Sequence, residues 1–218
     1  MLLDPDALGR TDIADHALTA LRDSAIREVV ILGRRGVADA AFSVGEFLAL
    51  GHLDGVDVVI DGPLPDPADD TDLWATLKLD IAREFAARPA TAGNKRIVFR
   101  FMTSPVEILG DDHVTGLRVR GEGGDEVLET SLVLRSIGYR GVPVPGLPFD
   151  DAAGVVPNED GRVRDCPGSY VTGWIKRGPR GVIGSNRGCA EETVDTLWRD
   201  HSADALAREV AGRSIVLL

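Results

Sequence analysis

Lysine is nearly missing from this 218-residue sequence, which carries only Lys78, Lys95 and Lys176 beside its arginines. Any anion site in it is therefore built from arginine, whose planar guanidinium suits bidentate contact with phosphate or carboxylate. Positive charge is also outweighed overall, with a net charge of -11. That balance excludes general nucleic-acid binding, which rests on clustered Lys and Arg that release counterions. Cysteine is limited to Cys166 and Cys189, too few for a disulfide framework and without the CxxC or His spacing of a zinc site. Both read as reduced packing residues, and no metal is expected. No stretch near Met1 joins a basic segment to an apolar run, and no apolar run approaches the roughly 18 to 20 residues of a membrane span. The protein is expected in the cytoplasm, without a membrane partner.

An apolar fraction of 44% with 27% charged residues fits an ordinary globular chain, long enough for one substantial core or for parts of two domains. Thr11 to Ser24 places Ile13, Ala14, Ala17, Leu18 and Leu21 on one face at helical spacing, with Thr11 or Asp12 as N-cap. The run Glu28-Val29-Val30-Ile31-Leu32, closed by Gly33, reads as a strand of a parallel sheet buried on both faces. Ala38 to Leu50 reads as a helix, Val56 to Ile60 as a second buried strand, and Thr71 to Ala87 as a crossover helix after a loop stiffened by Pro63, Pro65 and Pro67.

From Arg96 the period changes to two, in Ile97 to Phe101, Val106 to Leu109, Val114 to Arg120 and Glu126 to Leu134. This succession predicts an antiparallel insert. A domain crossover is placed near Leu134 to Tyr139. Beyond it, Asp160-Gly161 marks a two-residue hairpin turn, and Tyr170 to Thr172 reads as one more strand. The Gly-rich loop from Gly173 to Gly184 follows, then a helix from about Arg187 to Arg199 capped by Ser185 or Asn186.

Two features can carry chemistry. Arg34 and Arg35 directly follow a buried strand, at the carboxyl edge where ligands of open α/β sheets bind. Arginine there pairs with the 2′-phosphate of NADP, and no acid is present to favour NAD. Taken alone, such a pair is more often a solvated basic loop. The Gly173–Gly184 loop, with Trp174 and a helix behind it, offers close backbone approach and a positive helix end that suits a reduced flavin. Alone, it too is more often a tight turn beside a core aromatic. Glu46 sits on the helix after the arginine pair, where it can contact a ribose or carboxamide, although a helical surface glutamate is solvated by default. His16, His52, His113 and His201 have no metal spacing, and Gly184-Ser185-Asn186 lacks the G-x-S-x-G frame of a hydrolase. No residue is assigned as catalytic.

Five segments together resemble a known family: RTDIADHAL at Arg10 to Leu18, REVVILGRRG at Arg27 to Gly36, RIVFRFMTSPVEILG at Arg96 to Gly110, RSIGYRGVPVPGLPFD at Arg135 to Asp150, and GWIKRGPRGVIGSN at Gly173 to Asn186. They are similar to adrenodoxin-reductase-type ferredoxin-NADP reductases, in the C-terminal half only. The resemblance implies an α/β fold: a partial NADP-binding Rossmann-like domain with antiparallel strands over 1–134, lacking its first strand and glycine fingerprint. The C-terminal part of an FAD-binding domain then occupies 135–218. It implies an FAD-dependent NADP oxidoreductase that moves electrons between NADPH and a ferredoxin-type iron-sulfur protein. Arg34 and Arg35 fall on the family's 2′-phosphate contacts, Glu46 on its nicotinamide-end contact, and Trp174, Gly181, Val182 and Ile183 on its flavin and nicotinamide contacts. The family's two glycine fingerprints do not occur here, and Val37 stands where the family has proline. The isolated chain is therefore expected to be inactive, either as a fragment that requires a missing N-terminal half or as a non-catalytic remnant or interaction module unable to bind FAD by itself.

Overall fold

The computed structural model describes residues 1–66, 72–181 and 183–206, which fall into two compact units, Met1–Leu134 and Arg135–Leu218. The proline loop's Pro67 and the predicted helix start at Thr71 lie outside the described residues.

Unit one is a three-stranded parallel sheet with helices on one face, followed by a three-stranded antiparallel meander. Two short helices, α1 (Pro5–Leu8) and α2 (Asp15–Arg22), lead into β1 (Glu28–Leu32). After a 3-10 turn (Val37–Asp39) come α3 (Val44–Leu50), β2 (Val56–Asp61), α4 (Leu73–Ala87) and β3 (Lys95–Arg100). The strand order is β1-β3-β2, with Val29 opposite Ile97 and Val58 opposite the same Ile97. Ile97 and Phe99 point into the core, while Arg96, Val98 and Arg100 line the other face and remain half-buried or exposed. The outer edge of β1 carries no partner strand among the described residues.

This placement of β3 corrects the sequence reading, which grouped Ile97 to Phe101 with the antiparallel strands. A central parallel strand reads as a continuous apolar run only when both faces are covered. Here one face carries Arg96 and Arg100, so the alternation is that of a half-covered strand.

The core sits between the sheet and α3/α4. Phe47 on α3 is fully buried and meets Phe42, Phe85 and Phe99 at ring separations of 4.6, 5.2 and 5.1 Å, the last two edge to face. Along α4, Ala75, Leu79 and Ala82 follow helical spacing and, with Ile81 and Phe85, bury that helix's inner face. The side chain of Asp72 starts α4 by accepting from the N–H groups of Trp74 (2.8 Å) and Ala75 (3.3 Å), an N-cap contact of about 1 kcal/mol.

The meander comprises β4 (Ser104–Leu109), β5 (Gly116–Gly121) and β6 (Gly124–Glu129), in the order β4-β5-β6, with a register shift between Pro105 and Glu107. The predicted last strand thus ends at Glu129 rather than Leu134. Arg100 joins the two sheets of this unit, pairing with Asp61 at 2.7 Å and Glu126 at 2.6 Å.

Unit two has little regular structure before its last helix. The hairpin β7 (Asn158–Glu159) and β8 (Arg162–Val163) turns at Asp160 and Gly161, both with positive φ, as its two-residue turn requires. Val156, Val163 and Val171 form a small core with Phe149 and Ile175 packed on it. The strand predicted at Tyr170 to Thr172 is reduced to a single bridge, Arg162 to Tyr170. Then follow α5 (Trp174–Arg177) and α6 (Ile183–Ser202). Arg162 grips Asp200 of α6 with two hydrogen bonds of 2.6 Å, and the Tyr170 hydroxyl donates to the same carboxylate at 2.5 Å.

Candidate functional sites

The first candidate site lies at the carboxyl edge of the parallel sheet. Gly33 ends β1 by donating to the Arg100 carbonyl at 2.9 Å and accepting from Thr103 at 2.9 Å. The Met102 N–H reaches the Arg35 carbonyl at 3.3 Å. The arginine loop is thereby laced to the loop leaving β3, and a Cβ on Gly33 would stand 2.8 Å from the Phe101 ring, so the close approach requires glycine. Both guanidinium groups project outward. Arg34 has no hydrogen-bond or ion-pair partner among the described residues. Arg35 reaches Asp39 at 3.4 Å across an exposed pair. One free and one loosely engaged guanidinium, fixed by a rigid backbone at the ligand-binding edge of a sheet, fit a phosphomonoester.

Glu46 lies on α3, as expected, but its carboxylate is occupied. One oxygen accepts from the Ser43 N–H and from the Ser43 hydroxyl, each at 2.8 Å, while Ser43 Oγ accepts from the Glu46 N–H at 3.2 Å. This is a reciprocal capping box, and the Ser43 backbone and hydroxyl bonds hold the Glu46 carboxyl below the usual glutamate range. Among the described residues the second carboxylate oxygen has no hydrogen bond or ion pair, and Glu46 makes no ion pair with either arginine.

The second candidate site is in unit two. Gly173 (φ 72°) caps α5, and Gly178 (φ 84°) and Gly181 (φ 87°) turn the chain toward α6. Trp174, the first residue of α5, is 44% exposed, with its ring 5.6 Å from that of Tyr139, itself exposed. A Cβ on Gly181 would lie 2.5 Å from Ser185 Oγ, so the turn is closed against the first turn of α6 and admits no side chain. Val182 lies outside the described residues. Ile183 is the first residue of α6. That start corrects the predicted one near Arg187. Ser185 and Asn186 are inside the first turn rather than at its cap, and Asn186 accepts from Arg177. A glycine-rich loop beside a half-exposed indole, leading to a long helix whose first amides have no intrahelical partner, fits a flat anionic ring system.

Sequence reasoning missed the groups that hold this loop in place. Lys176 is buried, and its ammonium donates to Glu192, to Thr193 Oγ1 at 3.0 Å and to the Cys189 carbonyl at 3.5 Å. Cys189 Sγ accepts from the Gly173 N–H at 3.2 Å. Burial pushes the Cys189 thiol up, but the Gly173 N–H, the Thr172 hydroxyl and the nearby Lys176 charge together bring it below the ordinary thiol value. The rarity of lysine was a signal for Lys176. Nothing in the sequence marked its burial.

No protein-family model matches the chain. It is 49% identical over 220 residues to NADPH-ferredoxin reductase FprA of Mycobacterium tuberculosis, an alignment covering 92% of this chain and 48% of that protein. It is 36% identical over 239 residues to the mitochondrial NADPH:adrenodoxin oxidoreductase of Arabidopsis thaliana, covering 92% of this chain and 50% of the relative. Its fold superposes on the structure of Mycobacterium tuberculosis FprA in complex with NADPH with a TM-score of 0.85, at 44% identity, covering 96% of this chain and 51% of that one. By sequence and by fold, this chain is a homologue of the adrenodoxin-reductase-type ferredoxin-NADP reductases, spanning about half the length of the curated relatives it matches.

Proposed function

We propose that the chain is the C-terminal half of an FAD-dependent NADP oxidoreductase that exchanges electrons between NADPH and a ferredoxin-type iron-sulfur protein. In this reading Met1–Leu134 is an NADP-binding domain without its first strand and glycine fingerprint, and Arg135–Leu218 is the C-terminal portion of an FAD-binding domain. The observation that carries it is the exposed Arg34, without a partner among the described residues, beside Arg35 at the sheet's carboxyl edge, in a chain homologous to NADPH-ferredoxin reductases.

Arg34 and Arg35 take the 2′-phosphate, and the free oxygen of Glu46 accepts from the nicotinamide end. Trp174 covers one face of a ring. Gly181, Val182 and Ile183 bring backbone N–H groups to the flavin edge that becomes negative. When bound, the flavin supplies the conversion of a two-electron hydride into single electrons. The residues of each unit hold and orient the ring system assigned to it.

The test is discrimination of the 2′-phosphate by the chain itself. Adenosine 2′,5′-bisphosphate is to bind roughly tenfold or more tightly than adenosine 5′-monophosphate, from one or two charge-assisted contacts, and the joint Arg34→Ala and Arg35→Ala variant is to lose the difference. Equal binding of the two nucleotides by the unaltered chain rejects the reading. A second reading is a non-catalytic remnant or interaction module. It predicts that adding a polypeptide carrying the relatives' N-terminal half restores neither bound flavin nor NADPH-driven reduction of ferricyanide.

A further inference from the structure

Among the described residues four non-glycine positions have positive φ: Met102 (54°), Asp160, Asp165 and Asp204. Aspartate tolerates the left-handed region because its short side chain bonds locally, whereas methionine has no such compensation. Strain of this kind persists only where the surroundings over-determine it, and here they do. Residues on either side of Met102 are fixed: Phe101 stacks on Phe99 at 5.8 Å, and the buried Thr103 donates from its hydroxyl to the Phe101 carbonyl at 3.0 Å. The backbone of Met102 itself donates to the Arg35 carbonyl at 3.3 Å.

This geometry has one external result. Met102 is 47% exposed and lines a cleft of about 310 Å³ that Asp61, Arg100, Thr103, Gly123 and Glu126 also line. It is one hydrogen bond away from the backbone of the arginine pair. We infer that Met102 is the base platform of the nucleotide site, its thioether lying against the purine of a 2′-phosphorylated nucleoside whose phosphate is held by Arg34 and Arg35. The inference rests on the nucleotide reading above and adds to it a residue that recognises the base. A soft, polarisable sulfur packs favourably against an aromatic ring.

The chain contains two methionines, Met1 and Met102, so labelling their methyl groups with carbon-13 gives a two-line spectrum with Met1 as internal control. Titrating adenosine 2′,5′-bisphosphate is expected to move the Met102 methyl upfield, by the ring current, while inorganic phosphate and ribose 5-phosphate leave it in place. Met102→Gly, which relieves the backbone and removes the platform, is expected to weaken the bisphosphate by roughly twofold to tenfold without changing the affinity for inorganic phosphate. Met102→Leu is expected to retain most of the binding. If the bisphosphate binds through Arg34 and Arg35 but the Met102 methyl does not move, or moves equally with inorganic phosphate, the platform is refuted and the nucleotide reading stands. If binding is absent, or survives the loss of both arginines, both are refuted.

Discussion

Removing the carboxylate of Asp39 is the perturbation that most directly tests how the arginine pair works. Arg34 has no partner among the described residues, whereas Arg35 shares its guanidinium with Asp39 at 3.4 Å, in a pair whose side chains are 72% and 52% exposed. An exposed pair of this kind contributes about 0.2–1 kcal/mol, and a phosphate that recruits Arg35 must first displace it. Asp39→Asn is therefore expected to tighten adenosine 2′,5′-bisphosphate by roughly twofold to fivefold. Each arginine contact to the phosphate contributes about 1.5–3 kcal/mol, so Arg34→Ala weakens binding by roughly tenfold to a hundredfold. Arg35→Ala weakens it less, by about the contribution of the pair it already makes. Calorimetric titration of the three variants gives the ordering, and repeating it at about 50 and 200 mM salt separates charge from contact, because exposed charges are screened within about 8–10 Å. Weaker binding by Asp39→Asn, or a smaller loss for Arg34→Ala than for Arg35→Ala, would refute the reasoning.

Phe47, which meets three other phenylalanine rings with no exposed surface to spare, is expected to cost about 3–5 kcal/mol on replacement by alanine, read as a lowered urea midpoint at unchanged slope. Leucine at that site is expected to cost less. For Asp200, the Arg162 and Tyr170 hydrogen bonds hold the carboxyl down to about 2, below its ordinary 3.8. Its contribution to folding is complete above the ordinary value and is lost as pH falls from about 4 toward 2. Burial, with the Asp200 hydrogen bond second, pushes the Tyr170 phenol up to about 12, so the folded state retains that proton longer than the unfolded one and stability falls as pH rises from about 10 to 12. Denaturation followed by far-UV circular dichroism at the two extremes checks both signs, and Asp200→Asn is expected to flatten the acid limb.

The elements that position the arginine pair were legible because each had a local physical signature. The run Glu28 to Leu32 ending at Gly33 marks a parallel strand, as observed, but not one buried on both faces: no residue of β1 is fully buried and Ile31 is 38% exposed. Elsewhere a signature was present but a neighbouring one was followed. Ser43 and Glu46 form the S-x-x-E pattern of a capping box, which marks the start of α3 and shows why the predicted single helix from Ala38 breaks before Ser43. The sequence offers Thr11 or Asp12 as a cap, yet the Thr11 hydroxyl donates to the Leu8 carbonyl at 2.7 Å, and α2 begins after Ala14 with no side-chain cap hydrogen bond. Gly184 was read as the end of a loop, although glycine is tolerated in a first turn whose position is set by Gly181. The conformation of Met102 had no sequence signal, because it is imposed by pairing between two loops distant in the chain. The burial of Lys176 likewise depends on α6 supplying Glu192 and Thr193.

The bare side of β1 has a consequence for the molecule in concentrated solution. No strand pairs with that edge among the described residues, and with Ile31 38% exposed it is a template on which a second chain can lay down a strand. The surplus of carboxylates, -11 in all, keeps two such templates apart at low ionic strength. Salt weakens that repulsion and leaves the edge as sticky as before, so this chain self-associates more readily in brine than in dilute buffer.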